Sequence, residues 1–178
     1  MPSPIAHGSL VVPACAALGA EIRGLRGLMA FGLVLFATVA PDMDIPISWA
    51  RTGKPFLEHG SYSHSLLLAP IFGVLFACAM KLISPNVRAG RAFAVGALLY
   101  ALHVVMDLLV IDSRGVSMFW PIVPGRIASP YGIFAGVEYS DWRRWDLHLL
   151  MLANEVLFGL VVWGVTAIAI RRRRRADA

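Results

Sequence analysis

Apolar residues are concentrated in four long stretches, separated by segments that carry most of the charge. The stretches are Leu28–Ala40, Leu66–Ile83, Ala92–Ile111 and Leu147–Ile170, and a weaker fifth covers Ile5–Ala20. A spanning helix needs about 20 apolar residues, so Leu28–Ala40 and Ile5–Ala20 require flanking residues or an interfacial position. Single apolar stretches satisfy their backbone in lipid as helices. The pattern predicts one all-α domain over residues 1–178, a polytopic membrane bundle of four to five helices.

The composition strengthens the membrane prediction. The 178 residues are 58% hydrophobic and 15% charged, and their mean hydropathy is +0.69. Soluble domains are about 25% charged, so the bilayer is the expected solvent. The net charge of +5 includes five consecutive arginines, Arg171–Arg175, directly after an apolar stretch. Such a block is typical of a cytoplasmic anchor, and we expect no nucleic-acid partner.

The basic residues also predict an orientation in the inner membrane. If Arg171–Arg175 are cytoplasmic and the helices alternate, the other cytoplasmic basic residues are Arg23, Arg26, Lys81, Arg88 and Arg91. Arg51, Lys54, Arg114, Arg126, Arg143 and Arg144 then face the opposite side. An excess of basic residues inside is the usual arrangement. This orientation puts the C-terminus in the cytoplasm and two long connections, Pro41–His64 and Asp112–Asp146, outside, where function is expected.

Seven ionisable side chains interrupt the apolar background at positions where an unpaired charge is costly. All are imidazoles or carboxylates: His7, Asp42, Asp44, His59, His64, His103 and Asp107. These groups are ligands for divalent cations. The predicted orientation places them toward the extracytoplasmic surface, His7 on condition that Ile5–Ala20 also crosses. The sequence therefore predicts one site there for one or two divalent ions, with zinc the best match.

The spacing of His103 and Asp107 gives the clearest signal within this set. They are four residues apart in the strongest helical stretch, so both project from one face. Asp112, five residues further on, follows the end of this stretch and is expected to be a solvated or capping residue. The alternative to metal binding is a hydrogen bond between His103 and Asp107 that satisfies both groups between packed helices.

The other candidates also have simpler alternatives. Asp42 and Asp44 follow Pro41, where the two carboxylates either converge on a cation or are solvated and cap the next segment. His59 and His64 lie in a Gly-Ser turn, where loop histidines are commonly solvated. Ser63 and Ser65 are both candidate N-caps of the following helix.

Glu155 is a further buried candidate, about two turns into the last apolar stretch and next to Asn154. No basic residue within a helical turn is available to pair with it. It is either a protonated glutamate bonded to a neighbouring helix or a catalytic residue of the site, acting as ligand, orienter of a ligand or general base. His148, near the start of the same stretch, is a candidate proton donor or an interfacial residue.

Five features recur together in one known family. His7, "PDMD" (41–44), "HGSYSHS" (59–65), "HVVMD" (103–107) and "GVSMFWP" (115–121), followed by Glu155, occur in the order found in LexA-regulated-type, membrane-bound metal-dependent hydrolases. The chain resembles this family over most of its length. It departs from the family in carrying Gly60 where an arginine is common and Ser63 where a threonine is usual. Arg114 is a candidate replacement for that arginine.

The resemblance implies a divalent-metal hydrolase, and a similarity to zinc-dependent phospholipase C suggests a phosphoester. We therefore expect metal-activated water to attack an ester, a phosphoester of a lipid or lipid-linked molecule. The alternative is a small metal-ion transporter or a non-catalytic metal-binding membrane protein. A transport path needs polar residues through the full membrane depth, whereas the cytoplasmic halves of these stretches are apolar. The pattern indicates no oligomeric state.

Overall fold

The computed structural model describes residues 2–19, 23–111, 113–137, 141 and 143–176. Within these ranges the elements of secondary structure are helices joined by irregular connections. The α-helices are α1 (Pro4–Gly8), α2 (Val11–Leu18), α3 (Gly24–Val39), α4 (Asp44–Thr52), α5 (Ala69–Ile83), α6 (Ala89–Leu108) and α7 (Trp145–Ala176). Short 3₁₀ helices cover Ala40–Met43, Tyr62–His64 and Leu66–Leu68. The α-helices build the bundle, and the 3₁₀ turns lie where the polar motifs occur.

Four segments are long and apolar enough to cross a membrane: Gly24–Thr52, Leu66–Ile83, Ala89–Leu108 and Trp145–Ala176. The apolar segment Pro4–Leu18 is shorter. The predicted all-α bundle of four to five helices is confirmed. Successive spans run in opposite directions, so the end of α3, the end of α6 and the start of α7 lie at the same end of the bundle.

The first predicted loop, Pro41–His64, is helical over its first half. The 3₁₀ turn Ala40–Met43 leads directly into α4, and Gly53, with a φ of +70°, caps the C-terminal end of α4. The α4 sequence is short and mixes polar with apolar residues, so it contains no long apolar run from which a helix could be predicted. As a result, a helical backbone rather than an irregular loop holds the carboxylates of Asp42 and Asp44.

The helices α5 and α6 are packed most closely of all. A Cβ added at Gly73 would lie 2.9 Å from the Phe93 carbonyl oxygen, and one at Gly96 would lie 2.6 Å from the Phe76 Cβ. Real Cβ atoms do not approach so closely, so glycine is required for this contact. The tight pair fixes the C-terminal turns of α6 against the segment that precedes α5.

The helix α7 lies on the outside of the bundle and is tied to it by side-chain hydrogen bonds. Trp163 Nε1 donates to the Ser9 carbonyl oxygen at 2.9 Å. Asn154 Nδ2 donates to the Ile133 carbonyl oxygen at 3.1 Å, and Asn154 Oδ1 accepts from the Ala135 amide at 3.3 Å. Much of the remaining α7 surface is apolar and exposed, which suits a helix in contact with lipid.

The second long connection folds back over the histidine-containing segment. The Ser117 amide donates to the Gly60 carbonyl oxygen, and the Leu66 amide donates to the Met118 carbonyl oxygen, both at 2.9 Å. An isolated β-bridge between Val116 and Ile127 joins two parts of the connection, and a second, between Phe134 and Val110, ties it to the residues that follow α6. The connection therefore covers the segment around His59 and His64 from one side.

Candidate metal centre

Two overlapping groups of ligand atoms lie together at one end of the bundle, which we call the site end. The larger group contains Asp42, His59, His64 and Asp107, and the smaller contains His7, His103 and Asp107. Within each group the ligand atoms all lie within 4.8 Å of one another. Six of the seven predicted ligands are thus brought together, although they are spread from residue 7 to residue 107.

Asp107 belongs to both groups because its two oxygens face different histidines. Oδ1 lies 3.4 Å from His7 Nε2, while Oδ2 lies 3.0 Å from His64 Nε2 and 3.6 Å from His59 Nε2. Tetrahedral zinc with ligands at about 2.0–2.2 Å has neighbouring ligand atoms roughly 3.3–3.6 Å apart. The observed separations are close to that range, so each Asp107 oxygen could serve as a ligand, Oδ1 together with His7 and Oδ2 together with His59 and His64.

His103 is oriented by the backbone of α3. Its Nδ1 lies 2.8 Å from the Thr38 carbonyl oxygen, which can only accept, so Nδ1 carries the proton. Its Nε2 then offers a lone pair, 3.2 Å from Asp42 Oδ1 and 3.9 Å from Asp107 Oδ2. A separation of 3.9 Å is too long for a hydrogen bond. The simple His103–Asp107 hydrogen bond considered as the alternative is therefore absent.

Several ligand atoms are buried without a hydrogen-bond partner among the described residues. His7, His64 and His103 are fully buried and Asp107 is 2% exposed. The partnerless atoms are both ring nitrogens of His7, Nε2 of His64 and His103, and Oδ1 of Asp42 and Asp107. Each such atom costs about 1–3 kcal/mol, and native structures contain few of them. A bound cation would satisfy most of them at once, so the site fits a metal.

Asp44, predicted as a ligand, lies behind two of the histidines and outside both ligand groups. Its Oδ1 is 3.0 Å from His59 Nδ1, and its Oδ2 is 3.1 Å from His64 Nδ1. Oδ2 also accepts from the Gly60 amide at 3.1 Å and from Ser63 Oγ at 2.6 Å. A carboxylate on the far nitrogen of a histidine fixes the ring and its tautomer. The contacts of Asp44 are those of an orienting residue.

The carboxylates around His64 change its protonation. Burial lowers the pKa of the His64 imidazole, but the neighbouring carboxylates of Asp107, Asp42 and Asp44 outweigh burial and raise that pKa well above its ordinary value. A proton and a metal ion compete for the same nitrogen. In the absence of a cation, a proton on His64 therefore balances part of the negative charge of the three aspartates.

Glu155 is fully buried and lies outside both ligand groups. Its Oε1 accepts from the Ser3 amide at 2.5 Å and its Oε2 accepts from Ser3 Oγ. Ser3 in turn caps the helix that carries His7, because its Oγ accepts from the Ile5 amide at 3.1 Å. Glu155 thus anchors the His7 helix to α7, and a catalytic role for it stays a prediction.

The serine alternatives are resolved by their partners. Ser65 Oγ accepts from the Leu67 amide at 3.2 Å, which confirms Ser65 as an N-cap. Ser63 Oγ is bonded to Asp44 instead, and the Tyr100 hydroxyl donates to the Ser63 carbonyl oxygen. Asp112, the predicted solvated neighbour of Asp107, lies outside the described residues.

A cleft of about 610 Å³ opens beside His59 and Asp107. The second long connection and the first turns of α7 form its other walls, with apolar side chains that include Leu147 and Leu150. Two arginines, Arg114 and Arg126, also line it. The ligand groups therefore open onto a space that is basic in one part and apolar in another.

Arg126 takes the position beside Gly60. Gly60 has a φ of +77°, and a Cβ there would lie 3.1 Å from Arg126 Nη1. The same Nη1 donates to the Gly115 carbonyl oxygen at 3.3 Å. Arg114, proposed from the resemblance as the replacement arginine, lines the cleft as well, but Arg126 is the arginine next to Gly60.

Three contributors to the site were missed by the sequence patterns. The Thr38 carbonyl group and the Arg126 side chain carry no local signal, because any residue supplies a carbonyl and Arg126 lies in a polar loop. Ser3 did carry one, since serine followed by proline before an apolar run is typical of a helix start.

The chain matches the family model of the YdjM inner membrane protein over residues 4–177. It belongs to the YdjM inner membrane protein family. No curated protein and no solved structure matches it. Membership in the YdjM family confirms the predicted membrane protein and the family part of the resemblance, and the family description assigns no reaction.

Proposed function

We propose that this YdjM-family protein is a membrane-bound, metal-dependent hydrolase that cleaves a phosphoester of a lipid or lipid-linked molecule. The observation that carries the proposal is the position of the two ligand groups, which share Asp107 and open onto a cleft with basic and apolar walls. A site for lipid chemistry needs both kinds of wall, because its substrate has an anionic head and an apolar tail.

Each ligand group could hold its own metal ion. Asp42, His59 and His64 would hold one ion, His7 and His103 would hold a second, and Asp107 would contact both. When bound, such an ion supplies Lewis acidity and a nucleophile at neutral pH. The mixture of imidazole and carboxylate ligands suits zinc.

The other residues of the chain position the groups that react. Asp44 holds the rings of His59 and His64, and the Thr38 carbonyl group holds that of His103. In hydrolysis, a water oxygen forms a bond to phosphorus, the ester P–O bond breaks, and a proton reaches the leaving oxygen. His148, for which the sequence left open a role as proton donor or as interfacial residue, packs against the Trp145 ring at a centroid distance of 6.1 Å, and Trp145 is the first residue of α7.

The cleft provides the substrate contacts. The guanidinium group of Arg126 would bind phosphate oxygens through charged hydrogen bonds, with Arg114 as a second cation. Leu147 and Leu150 continue the cleft wall onto the first turns of α7, and Leu150 is 59% exposed. An acyl chain would follow that apolar surface from the membrane into the cleft.

The buried face of α6 argues against a metal-transport path. From its start to Leu99, the buried residues of α6 are Ala92, Val95, Gly96 and Leu99 itself. A path for ions requires polar groups along the membrane depth. The buried ionisable groups of α6, His103 and Asp107, are instead in its last turns, and with Arg171–Arg175 in the cytoplasm the site would face the extracytoplasmic side.

Hydrolysis of phosphatidylglycerol in mixed micelles by the purified protein tests the proposal. Treatment with a chelator should abolish the release of water-soluble phosphoester or phosphate, and added zinc should restore it. Arg126→Gln should raise KM about tenfold with bound metal unchanged, because it removes charged hydrogen bonds to the substrate. The matched control is Arg51→Gln, an exposed arginine at the same end that pairs with Glu58 at 3.4 Å. Metal-loaded protein that cleaves no lipid phosphoester, or cleavage that survives chelation, would reject the proposal.

A further inference from the structure

A second cleft lies at the opposite end of the bundle, between the start of α3 and the turn that joins α5 to α6. Its volume is about 580 Å³. Four arginines line it, Arg23 and Arg26 from the start of α3 and Arg88 and Arg91 from the start of α6. We call this the arginine cleft. The four cations come from two separate segments of the chain and converge on one concave surface.

The positive charge of the arginine cleft has no internal counterpart among the described residues. No carboxylate of the described residues lines it, and the arginines that form ion pairs within the described ranges, Arg51 and Arg144, lie at the site end. Four like charges gathered in one cleft repel each other, and the repulsion is relieved when an anion enters. The cleft is therefore electrostatically suited to a phosphate group.

Backbone donors add to this charge. Arg23 and Arg88 are the N-cap residues of α3 and α6, helices of 16 and 20 residues, and neither helix has a side-chain cap. The first amides of such helices have no partner within the helix and favour an anion nearby. Side-chain and backbone donors thus act on the same space.

The surroundings of the arginine cleft indicate a lipid rather than a soluble anion. Leu25 is 74% exposed and Leu28 is 64% exposed, both on the first turns of α3 beside Arg26. On the α5 side, Leu82 is 86% exposed. These apolar side chains would lie against acyl chains when the guanidinium groups are at headgroup level. A phospholipid presents a phosphate and acyl chains together, and basic pockets between membrane helices suit anionic headgroups.

We propose that the arginine cleft binds the headgroup phosphate of an anionic phospholipid in the adjoining leaflet. The bound lipid would join the start of α3 to the α5–α6 turn and so stabilise the end of the bundle remote from the metal ligands. This lipid site is separate from the proposed substrate cleft and does not depend on hydrolysis.

The test uses the full-length protein in non-ionic detergent, with phosphatidylglycerol, phosphatidylcholine and inorganic phosphate as separate additions. Native mass spectrometry measures bound lipid, and thermal unfolding measures stabilisation. Phosphatidylglycerol should bind and raise the Tm, whereas phosphatidylcholine should do so at least tenfold more weakly and inorganic phosphate should have little effect. The variant with Arg26→Gln and Arg91→Gln should lose at least tenfold in phosphatidylglycerol affinity.

The matched control removes the same charge from the same end of the bundle but outside the cleft. The variant with Arg173→Gln and Arg174→Gln should keep the phosphatidylglycerol affinity of the wild type. Equal losses of phosphatidylglycerol affinity in the two double variants would overturn the proposal, because the lipid would then be attracted by the net positive charge of this end of the protein and not by the cleft. A response to inorganic phosphate equal to that of the lipid would also overturn it, as would no preference for phosphatidylglycerol. If the cleft double variant does not fold, the single variants Arg26→Gln and Arg91→Gln are measured instead. Wild-type phosphatidylglycerol affinity in both single variants would likewise overturn the proposal.

Discussion

Charge is arranged in opposite ways at the two ends of the bundle. At the site end, imidazoles and carboxylates are buried against one another, and several of their polar atoms lack a hydrogen-bond partner among the described residues. At the arginine cleft, charges of one sign are exposed to solvent and come from the starts of two helices. Buried groups of mixed sign require a cation or protons to complete them, whereas exposed groups of one sign attract a counter-ion. The comparison distinguishes a coordination site from an electrostatic binding site.

The largest effect is expected from Asp107→Asn, a substitution at the site end that should change metal binding without affecting the arginine cleft. Asp107 belongs to both ligand groups. Asp107→Asn keeps the side-chain size but replaces one of the two carboxylate oxygens by an amide nitrogen, which does not bind metal. The variant should therefore lower metal affinity tenfold or more and abolish metal-dependent hydrolysis. Metal analysis and a hydrolysis assay measure both effects. Asp146→Asn is the control, because Asp146 is 63% exposed and pairs with Arg144 at 2.7 Å.

The same experiment has a control at the other end. Arg91→Gln should leave metal content unchanged, because the arginine cleft shares no residue with the ligand groups. If Asp107→Asn keeps its metal and its activity and only lowers the Tm, the buried cluster is a structural network and the contrast between the ends disappears.

A smaller effect is expected at Asp44, which contacts the histidine ligands His59 and His64. Asp44→Asn should keep the number of bound ions but weaken their binding about 10- to 100-fold, because the amide no longer orients both imidazoles through their Nδ1 atoms. Zinc titration against a competing chelator measures the change, and Glu58→Gln provides a partly exposed control on the same loop. Loss of a whole equivalent of metal would instead make Asp44 a ligand, as the sequence pattern predicted.

The smallest effect should come from Glu155, which joins α7 to the helix that carries His7. Glu155→Gln places an amide N–H group against one of the two Ser3 donors and should reduce the free energy of unfolding by about 1–3 kcal/mol. Thermal unfolding should show a lower Tm while the bound metal is retained. Ser3→Ala should have a similar effect, and the double variant should be less destabilised than the sum of the two, since both changes remove one interaction. An unchanged Tm with lost turnover would favour the catalytic role predicted for Glu155.

Local sequence patterns were sufficient for much of the fold. Apolar runs of about 20 residues predict spans because the bilayer has a fixed thickness, and the spacing of His103 and Asp107 predicts a shared face because the helical period is fixed. Both predictions rest on distances of a few residues along the chain. The helix α4 was missed because it is only nine residues long, includes Pro46 and has no long apolar run, although its polar and apolar residues do alternate with the helical period.

Long-range contacts were not predictable in the same way. Ser3 and Glu155 are 152 residues apart, and Thr38 meets His103 across 65 residues. Asp44 has the same residue type as Asp42 and a similar local sequence, yet the two carboxylates face different nitrogens of His64. Only the packing of α3, α4 and α6 decides which aspartate can reach a metal and which one orients a histidine.

The most direct test of the central claim is the metal content of the purified wild-type protein, measured beside His103→Ala and Asp107→Asn after equilibration with zinc. The two ligand groups predict up to two zinc ions per chain in the wild type, fewer by one in His103→Ala, and none held tightly in Asp107→Asn. A folded wild-type protein that binds no zinc or other divalent metal more tightly than Asp107→Asn does would contradict the assignment of a metal centre.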